Sequence, residues 1–412
     1  MKLLIAIPAL NEEDSIAQTI ERCLQGSTHI IQNSPVTEVK ITVVSDGSTD
    51  DTVRLASAFV PRINLIVFEK NRGYGAAIKE AWRQSDAELL SFLDADGTCD
   101  PYFFAPLCRT LIDERACVVL GSRLHGGSEM PAVRRIGNFI FATLLAVFSS
   151  TRVGDSASGM RVVRRDCLER LMPLPDGLDF TPAMSARCIL ASDLPIRELD
   201  MPYAERAGQS KLRVIKDGLR FLGVIMETAL LYRPSRVLGL LALFLLVVPV
   251  ALMTGPTLYY LHNHAVQEWM IYRFVVSHLL GIAAVICLCM GYLARRIVRM
   301  TLGGGAPVPH GFDPMSGWIE SRVFWFLPAV LLLIGGWLVY PSYRQLVATG
   351  ATYEHWSRFI VMSFAVETAV LLLITRGLCY ILDVLDERLV YLDGLLQGKL
   401  ASRTPEYEVH ER

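Results

Sequence analysis

The stretch Leu93-Asp94-Ala95-Asp96-Gly97-Thr98-Cys99-Asp100-Pro101 sets two carboxylates one residue apart where an apolar run, Leu89 to Leu93, ends. So brief an apolar run predicts a short buried strand. In an open α/β sheet, ligands bind outside the carboxyl ends of the strands, where Asp94 and Asp96 would emerge. Two hard oxygen ligands at i and i+2 suit Mg²⁺ or Mn²⁺ and leave coordination positions for substrate phosphates. A strand-ending turn draws on the same residue types, so taken alone the pair leaves a bare turn as the alternative.

The segments before it place the pair. Lys2 to Ile7 is an apolar run ending in Pro8-Ala9-Leu10-Asn11-Glu12-Glu13, after which Ile16, Ile20 and Leu24 recur at helical spacing. Val39 to Val44 predicts a second strand closed by Ser45-Asp46-Gly47-Ser48-Thr49-Asp50, with Asp50 able to cap the next helix. Ile63 to Phe68 predicts a third, followed by Asn71-Arg72-Gly73-Tyr74-Gly75-Ala76-Ala77 and a helix to about Gln84. Strands alternating with helices of this length imply parallel βαβ units with right-handed crossovers. Asn11, Asp46, Gly73 and Asp94 would then lie along one rim.

In this order and at these spacings, the four loops resemble the family 2 glycosyltransferases, whose GT-A fold is Rossmann-like and binds nucleotide sugars. The resemblance implies that Pro8, Asn11 and Glu13 border the nucleotide, that Asp46 contacts its base or ribose, and that Asp94 and Asp96 hold Mg²⁺ or Mn²⁺ on the diphosphate of a UDP- or GDP-hexose. A divalent ion neutralises the charge developing on a diphosphate leaving group without a proton. Gly73 and Gly75 before a helix allow close backbone approach, and a helix N-terminus favours an anion; ordinary turn glycines are the alternative. Where the family usually carries an Asp doublet, this chain has Ser45-Asp46.

Farther on, Val118 to Gly121 predicts a fifth strand ending in Ser122-Arg123. Arg134-Arg135 then precedes Ile136-Gly137-Asn138-Phe139-Ile140-Phe141, followed by Asp155 to Arg161 and Glu205 to Leu212. This order resembles the polyprenyl-phosphate branch, the dolichol-phosphate mannose synthases and undecaprenyl-phosphate glycosyltransferases. That branch implies inverting transfer of one hexose to a polyprenyl (dolichyl or undecaprenyl) phosphate, with Arg123, Arg134, Arg135, Arg161, Arg206, Ser210 and Lys211 among the substrate-binding groups. Arginine's fork suits phosphate oxygens, and a solvated surface is the alternative for Arg123, Arg134, Arg135, Arg206 and Lys211. Asp155 would stand beside Asp96 as a catalytic residue, orienting the acceptor or acting as base, with a cap or turn as its alternative. Leu178 to Ala183 lacks the glutamate that many relatives carry, and the Gln-x-x-Arg-Trp signature of processive synthases is absent. Two rivals stand: a glycolipid synthase acting on a diacylglycerol or ceramide hydroxyl, and an inactive nucleotide-sugar-binding membrane subunit.

The chain has 412 residues and a net charge of −1, which supports more than one domain and gives no support for a nucleic-acid partner. Beyond Arg236 four long apolar blocks, Val237 to Gly255, Val275 to Ala294, Val323 to Tyr340 and Ile360 to Leu382, approach the ~20 residues that cross a bilayer. The last contains Glu367 and Arg376. Arg295, Arg296, Arg299 and Arg322 flank the loop between the second and third, so the positive-inside bias puts that loop, both termini and the N-terminal domain in the cytoplasm. Ile136 to Phe148 is too short to span and suits the headgroup level, as does the helix expected at Val214 to Arg233. The start, Met1-Lys2 and then Leu3 to Ile7, does not read as a signal peptide. Nine cysteines without metal-type spacing read as free thiols of a reducing compartment. The expected organisation is an α/β GT-A domain at 1–212, an interfacial helix at 213–236, an α-helical transmembrane domain of about four helices at 237–382 and a cytoplasmic tail at 383–412. A homo-oligomer is left open.

Overall fold

Every residue from Leu3 to Ala9 is buried, so the first strand is covered on both faces, as its unbroken apolar run implies. The computed structural model describes residues 1–124, 132–149, 151, 153–191, 193–202, 214–302, 318, 319 and 321–401. They fall into two compact units, Met1–Tyr232 and Arg233–Arg412.

The first unit is built on seven strands: β1 (Lys2–Ala9), β2 (Glu38–Asp46), β3 (Asn64–Phe68), β4 (Leu89–Phe92), β5 (Val118–Ser122), β6 (Arg161–Arg164) and β7 (Ile196–Asp200). Its helices are α1 (Ile16–Gln32), α2 (Thr52–Ser57), α3 (Tyr74–Arg83), α4 (Phe104–Asp113), α5 (Ala132–Phe148), α6 (Leu168–Leu171), α7 (Phe180–Leu190) and α8 (Val214–Tyr232). The sheet order is β3-β2-β1-β4-β6-β5-β7. β1 lies between β2 and β4, parallel to both, so the order reverses there and the crevice at their carboxyl ends is the topological switch point. Pro8 has no N–H to give, and it sits beyond the β4 ladder, which ends at Ala6↔Phe92. The first four strands pair parallel as expected, and β6, a strand the sequence did not announce, runs antiparallel to β4 and β5.

α5 and α8 pack on each other through Phe141 and Phe221, whose rings lie 5.9 Å apart. Ile136, Phe139 and Ile140 of α5 and Leu219 of α8 remain more than half exposed. The helix expected as a separate interfacial segment thus belongs to the first unit.

The second unit holds α9 (Pro234–Asn263), α10 (Ile271–Leu302), α11 (Phe326–Thr349) and α12 (Trp356–Ala401). Among the described residues four helices are long and apolar enough to cross a bilayer, at Pro234–Asn263, Glu268–Thr301, Arg322–Thr349 and Trp356–Leu389. Glu367 on α12 is accommodated by two partners: Ser363 donates its hydroxyl at 2.5 Å, and the His278 ring nitrogen of α10 lies at 3.4 Å.

One reading of the cysteines is corrected. Cys117 and Cys167 form a disulfide, with Cα atoms 5.7 Å apart, while the other seven are free. Antiparallel pairing brings the residue before β5 alongside the residues after β6, across 50 positions of sequence that linear spacing does not relate.

Candidate active site

Asp94 and Asp96 leave the carboxyl end of β4 at the switch point. The segment is held from below, because Leu93 donates its N–H to the Ala6 carbonyl at 2.9 Å and Thr19 donates its hydroxyl to the Ala95 carbonyl at 3.1 Å. Asp96 is 8% exposed and accepts the backbone N–H and the hydroxyl of Thr98 on Oδ1. Tyr74, first residue of α3, donates its hydroxyl to Asp94 Oδ1 at 2.6 Å. On the other side lies Gly159, where a Cβ would stand 2.0 Å from Asp94 Oδ2.

The basic side of the site comes from β5 and the loop before β6. Arg123 donates its backbone N–H and Nε to Asp155 Oδ2, and Nη2 to Oδ1, at 3.1, 2.6 and 2.7 Å. Asn138 of α5 donates Nδ2 to the same Oδ1 at 3.0 Å. Asp155 is fully buried, and its own N–H donates to Glu198 of β7 at 2.9 Å. Burial pushes the Asp155 carboxyl up, but the charge and hydrogen bonds of Arg123 outweigh that and hold it below its ordinary value. Cys99, five residues after Asp94, is buried, and burial pushes its thiol up.

Several expected contacts have other partners. Asp46 is 3% exposed and accepts the N–H groups of Arg72 and Gly73, at 2.6 and 3.0 Å; burial raises its carboxyl above the ordinary value. Asn11 accepts the Thr49 N–H at 2.8 Å, and Glu13 accepts that of Asp51 at 3.0 Å, so both knit the first two rim loops together. Pro8 is buried within β1.

The two rim glycines meet a neighbouring segment of the chain. Gly73 has φ +110°, and a Cβ there would meet the Asp176 carbonyl at 2.3 Å; at Gly75 it would meet that of Pro175 at 2.3 Å. The close approach is by the chain's own segment 175–176, and the Ala76 N–H at this helix start already donates to Asp176.

Arg161, expected among the substrate-binding groups, is turned inward. It is fully buried, donating to the carbonyls of Ser158 and Ser156 and the hydroxyl of Ser185 at 3.0, 2.7 and 2.9 Å, and burial lowers its guanidinium to about 10. It holds the loop that carries Asp155 and Gly159. Arg135 stands exposed in the first turn of α5. Arg206, Ser210, Lys211 and the side chain of Arg134 lie outside the described residues. Tyr74, Asn138 and Glu198 are site residues that composition alone does not single out; Tyr74 sits between the two glycines of the rim loop, which was its only signal.

For a divalent ion the donor set fits one that arrives with a diphosphate. Among the described residues no cluster of three or more metal-ligating side chains occurs. Two carboxylates at a strand end, in a cradle a Cβ at Gly159 would fill, leave the remaining positions to phosphate and water.

A mixed sheet with this pair at its switch point defines a GT-A domain of the nucleotide-sugar-binding type. Residues 4–172 match the family described as "Glycosyl transferase family 2". A dolichyl-phosphate hexose transferase of Haloferax volcanii is 30% identical over 219 residues, covering 51% of this chain and 86% of that protein. The chain belongs to glycosyl transferase family 2. It is also 32% identical over 255 residues to the low-salt glycan biosynthesis hexosyltransferase Agl6 of the same organism, covering 59% of each chain. With an undecaprenyl-phosphate 4-deoxy-4-formamido-L-arabinose transferase of Photorhabdus laumondii it shares 28% over 222 residues, 52% of this chain and 64% of that protein. The chain thus spans well under two thirds of Agl6. Among solved structures, glucosyl-3-phosphoglycerate synthase from Mycobacterium tuberculosis with Mn²⁺, UDP-glucose and phosphoglyceric acid superposes with a TM-score of 0.42 at 18% identity, covering 55% of this chain and 79% of that one.

Proposed function

We propose that this chain transfers a single hexose, with inversion, from a UDP- or GDP-sugar to a polyprenyl phosphate at the cytoplasmic face of a membrane. The observation that carries the reading is that one compact unit holds both the Asp94–Asp96 pair and the exposed apolar faces of α5 and α8. Donor chemistry and a lipid-facing surface therefore belong to the same domain. The names of the Haloferax and Photorhabdus relatives support a polyprenyl-phosphate acceptor.

Asp94 and Asp96 would hold Mg²⁺ or Mn²⁺, which neutralises the departing diphosphate. The Arg123–Asp155 unit, with Arg135 in the first turn of α5, orients the acceptor phosphate. The state of Asp155 favours this acceptor over a diacylglycerol or ceramide hydroxyl. A hydroxyl needs a base, whereas Asp155 is engaged by Arg123 and Asn138. A phosphate monoester, with its second pKa near ~6, is already ionised at neutral pH.

The test incubates membranes containing the protein with radiolabelled nucleotide sugars and either polyprenyl phosphate, diacylglycerol or ceramide. Label is expected in polyprenyl-phosphate hexose of inverted anomeric configuration. Turnover on a hydroxyl lipid with none on polyprenyl phosphate overturns the reading, and binding of donor without transfer or hydrolysis points to an inactive subunit.

A further inference from the structure

We propose that Tyr74 is a positioning residue for Asp94: its hydroxyl, with the bare backbone of Gly159 opposite, fixes the plane of the carboxylate before metal and diphosphate arrive. The proposal rests on the reading of Asp94 as a metal ligand. Tyr74 Oη donates to Oδ1 at 2.6 Å, while Gly159 closes on Oδ2 so tightly that any Cβ would overlap it. A carboxylate offers about four lone-pair directions, so the Tyr74 bond takes up one of them and restrains rotation about the Cβ–Cγ bond.

The tyrosine is itself held in place. Its ring stands edge-on to Phe92 with centroids 6.3 Å apart, and Phe92 lies on β4 two residues before Asp94. Phe92 in turn packs against Trp82 and Phe180 at 6.1 and 5.8 Å, all three fully buried. At the next residue, Gly75, a Cβ would stand 2.3 Å from the Pro175 carbonyl and 2.8 Å from the Phe180 ring. The tyrosine ring is therefore backed by a buried aromatic cluster. Partners of this kind orient metal ligands, and their loss costs about 10–100-fold in metal affinity or activity.

The experiment uses the purified full-length protein and follows free Mn²⁺ by electron paramagnetic resonance in the presence of UDP. Tyr74→Phe keeps the ring and loses only the hydroxyl. It is expected to raise the Mn²⁺ dissociation constant about tenfold, with the unfolding midpoint moved by no more than the roughly 2–4 °C of one lost hydrogen bond. Turnover of Tyr74→Phe should return as Mn²⁺ is raised, which a merely structural defect would not do. Gly159→Ala, pressing on the carboxylate from the other side, should weaken Mn²⁺ binding likewise and carries the test if Tyr74→Phe does not fold. Wild-type Mn²⁺ affinity in the variant that folds overturns the proposal. Wild-type Mn²⁺ affinity in Asp94→Asn overturns instead the metal reading beneath it.

Discussion

Arg123 and Asp155 are joined by three hydrogen bonds, two from the guanidinium and one from the backbone N–H, with the carboxylate wholly out of solvent. Arg123 keeps 11% of its side chain exposed. The aspartate is therefore the anchor of the pair and the arginine its working end.

Breaking such a pair at one partner costs about 3–5 kcal/mol, so Asp155→Asn should lower the unfolding midpoint by roughly 6 °C or more. Because the folded Asp155 carboxyl is held below its ordinary value, the pair's stabilisation is complete above the unfolded pKa of ~3.9. It is lost as pH falls through the lower folded value. Thermal unfolding of wild type and variant between neutral and acid pH measures both effects, and the gap between them should close at the acid end. A variant with an unchanged midpoint and abolished turnover would instead identify Asp155 as a base.

Arg135 is exposed in the first turn of α5, a helix whose apolar residues face outward beside it. A charge-assisted bond to a lipid phosphate contributes ~1.5–3 kcal/mol, so Arg135→Ala should raise the acceptor KM at least about tenfold and change kcat little. Steady-state kinetics with purified enzyme and polyprenyl phosphate check this. A shift confined to the KM of the nucleotide sugar would place Arg135 on the donor side.

If the four apolar helices each cross the bilayer in turn, Asn263 and Thr349 fall on the face opposite Thr301, and the positive-inside bias of Arg295, Arg296 and Arg299 assigns Thr301 to the cytoplasm. Single cysteines at these positions, in a background stripped of reactive native thiols, should be labelled from outside intact cells at Asn263 and Thr349 and shielded at Thr301. Labelling of Thr301→Cys from outside reverses the orientation.

The Cys117–Cys167 bridge leaves seven free thiols of nine. Protein purified without reductant and denatured should take up seven equivalents of a thiol-alkylating mass tag, rising to nine after reduction. Nine tags before reduction would mean that the bridge is absent in that preparation.

The rim of the site was legible in sequence because each of the first four strands ends its apolar run at a polar loop, and βαβ winding then brings those loops to one edge. What lies behind the rim was not. β6 is four residues, Arg-Val-Val-Arg, and nothing in so short a segment announces that it runs antiparallel between β4 and β5. Arg161, expected among the substrate-binding groups, instead donates to Ser156, Ser158 and Ser185, partners that its place in the sequence does not reveal. The crowding at Gly73 comes from Asp176, about a hundred positions away, so local spacing could only say that something approaches, not what. The Cys117–Cys167 pairing follows from strand register in the same way.

The Glu367–His278 contact has a consequence for the membrane unit. Sliding α12 by one residue would swing the carboxylate about 100° around the helix axis, away from the His278 ring on α10. Left among acyl chains without that partner, it would cost ~2.5–3.5 kcal/mol. This contact therefore sets the rotational phase of the fourth span, much as a single buried polar residue fixes the alignment of a coiled coil.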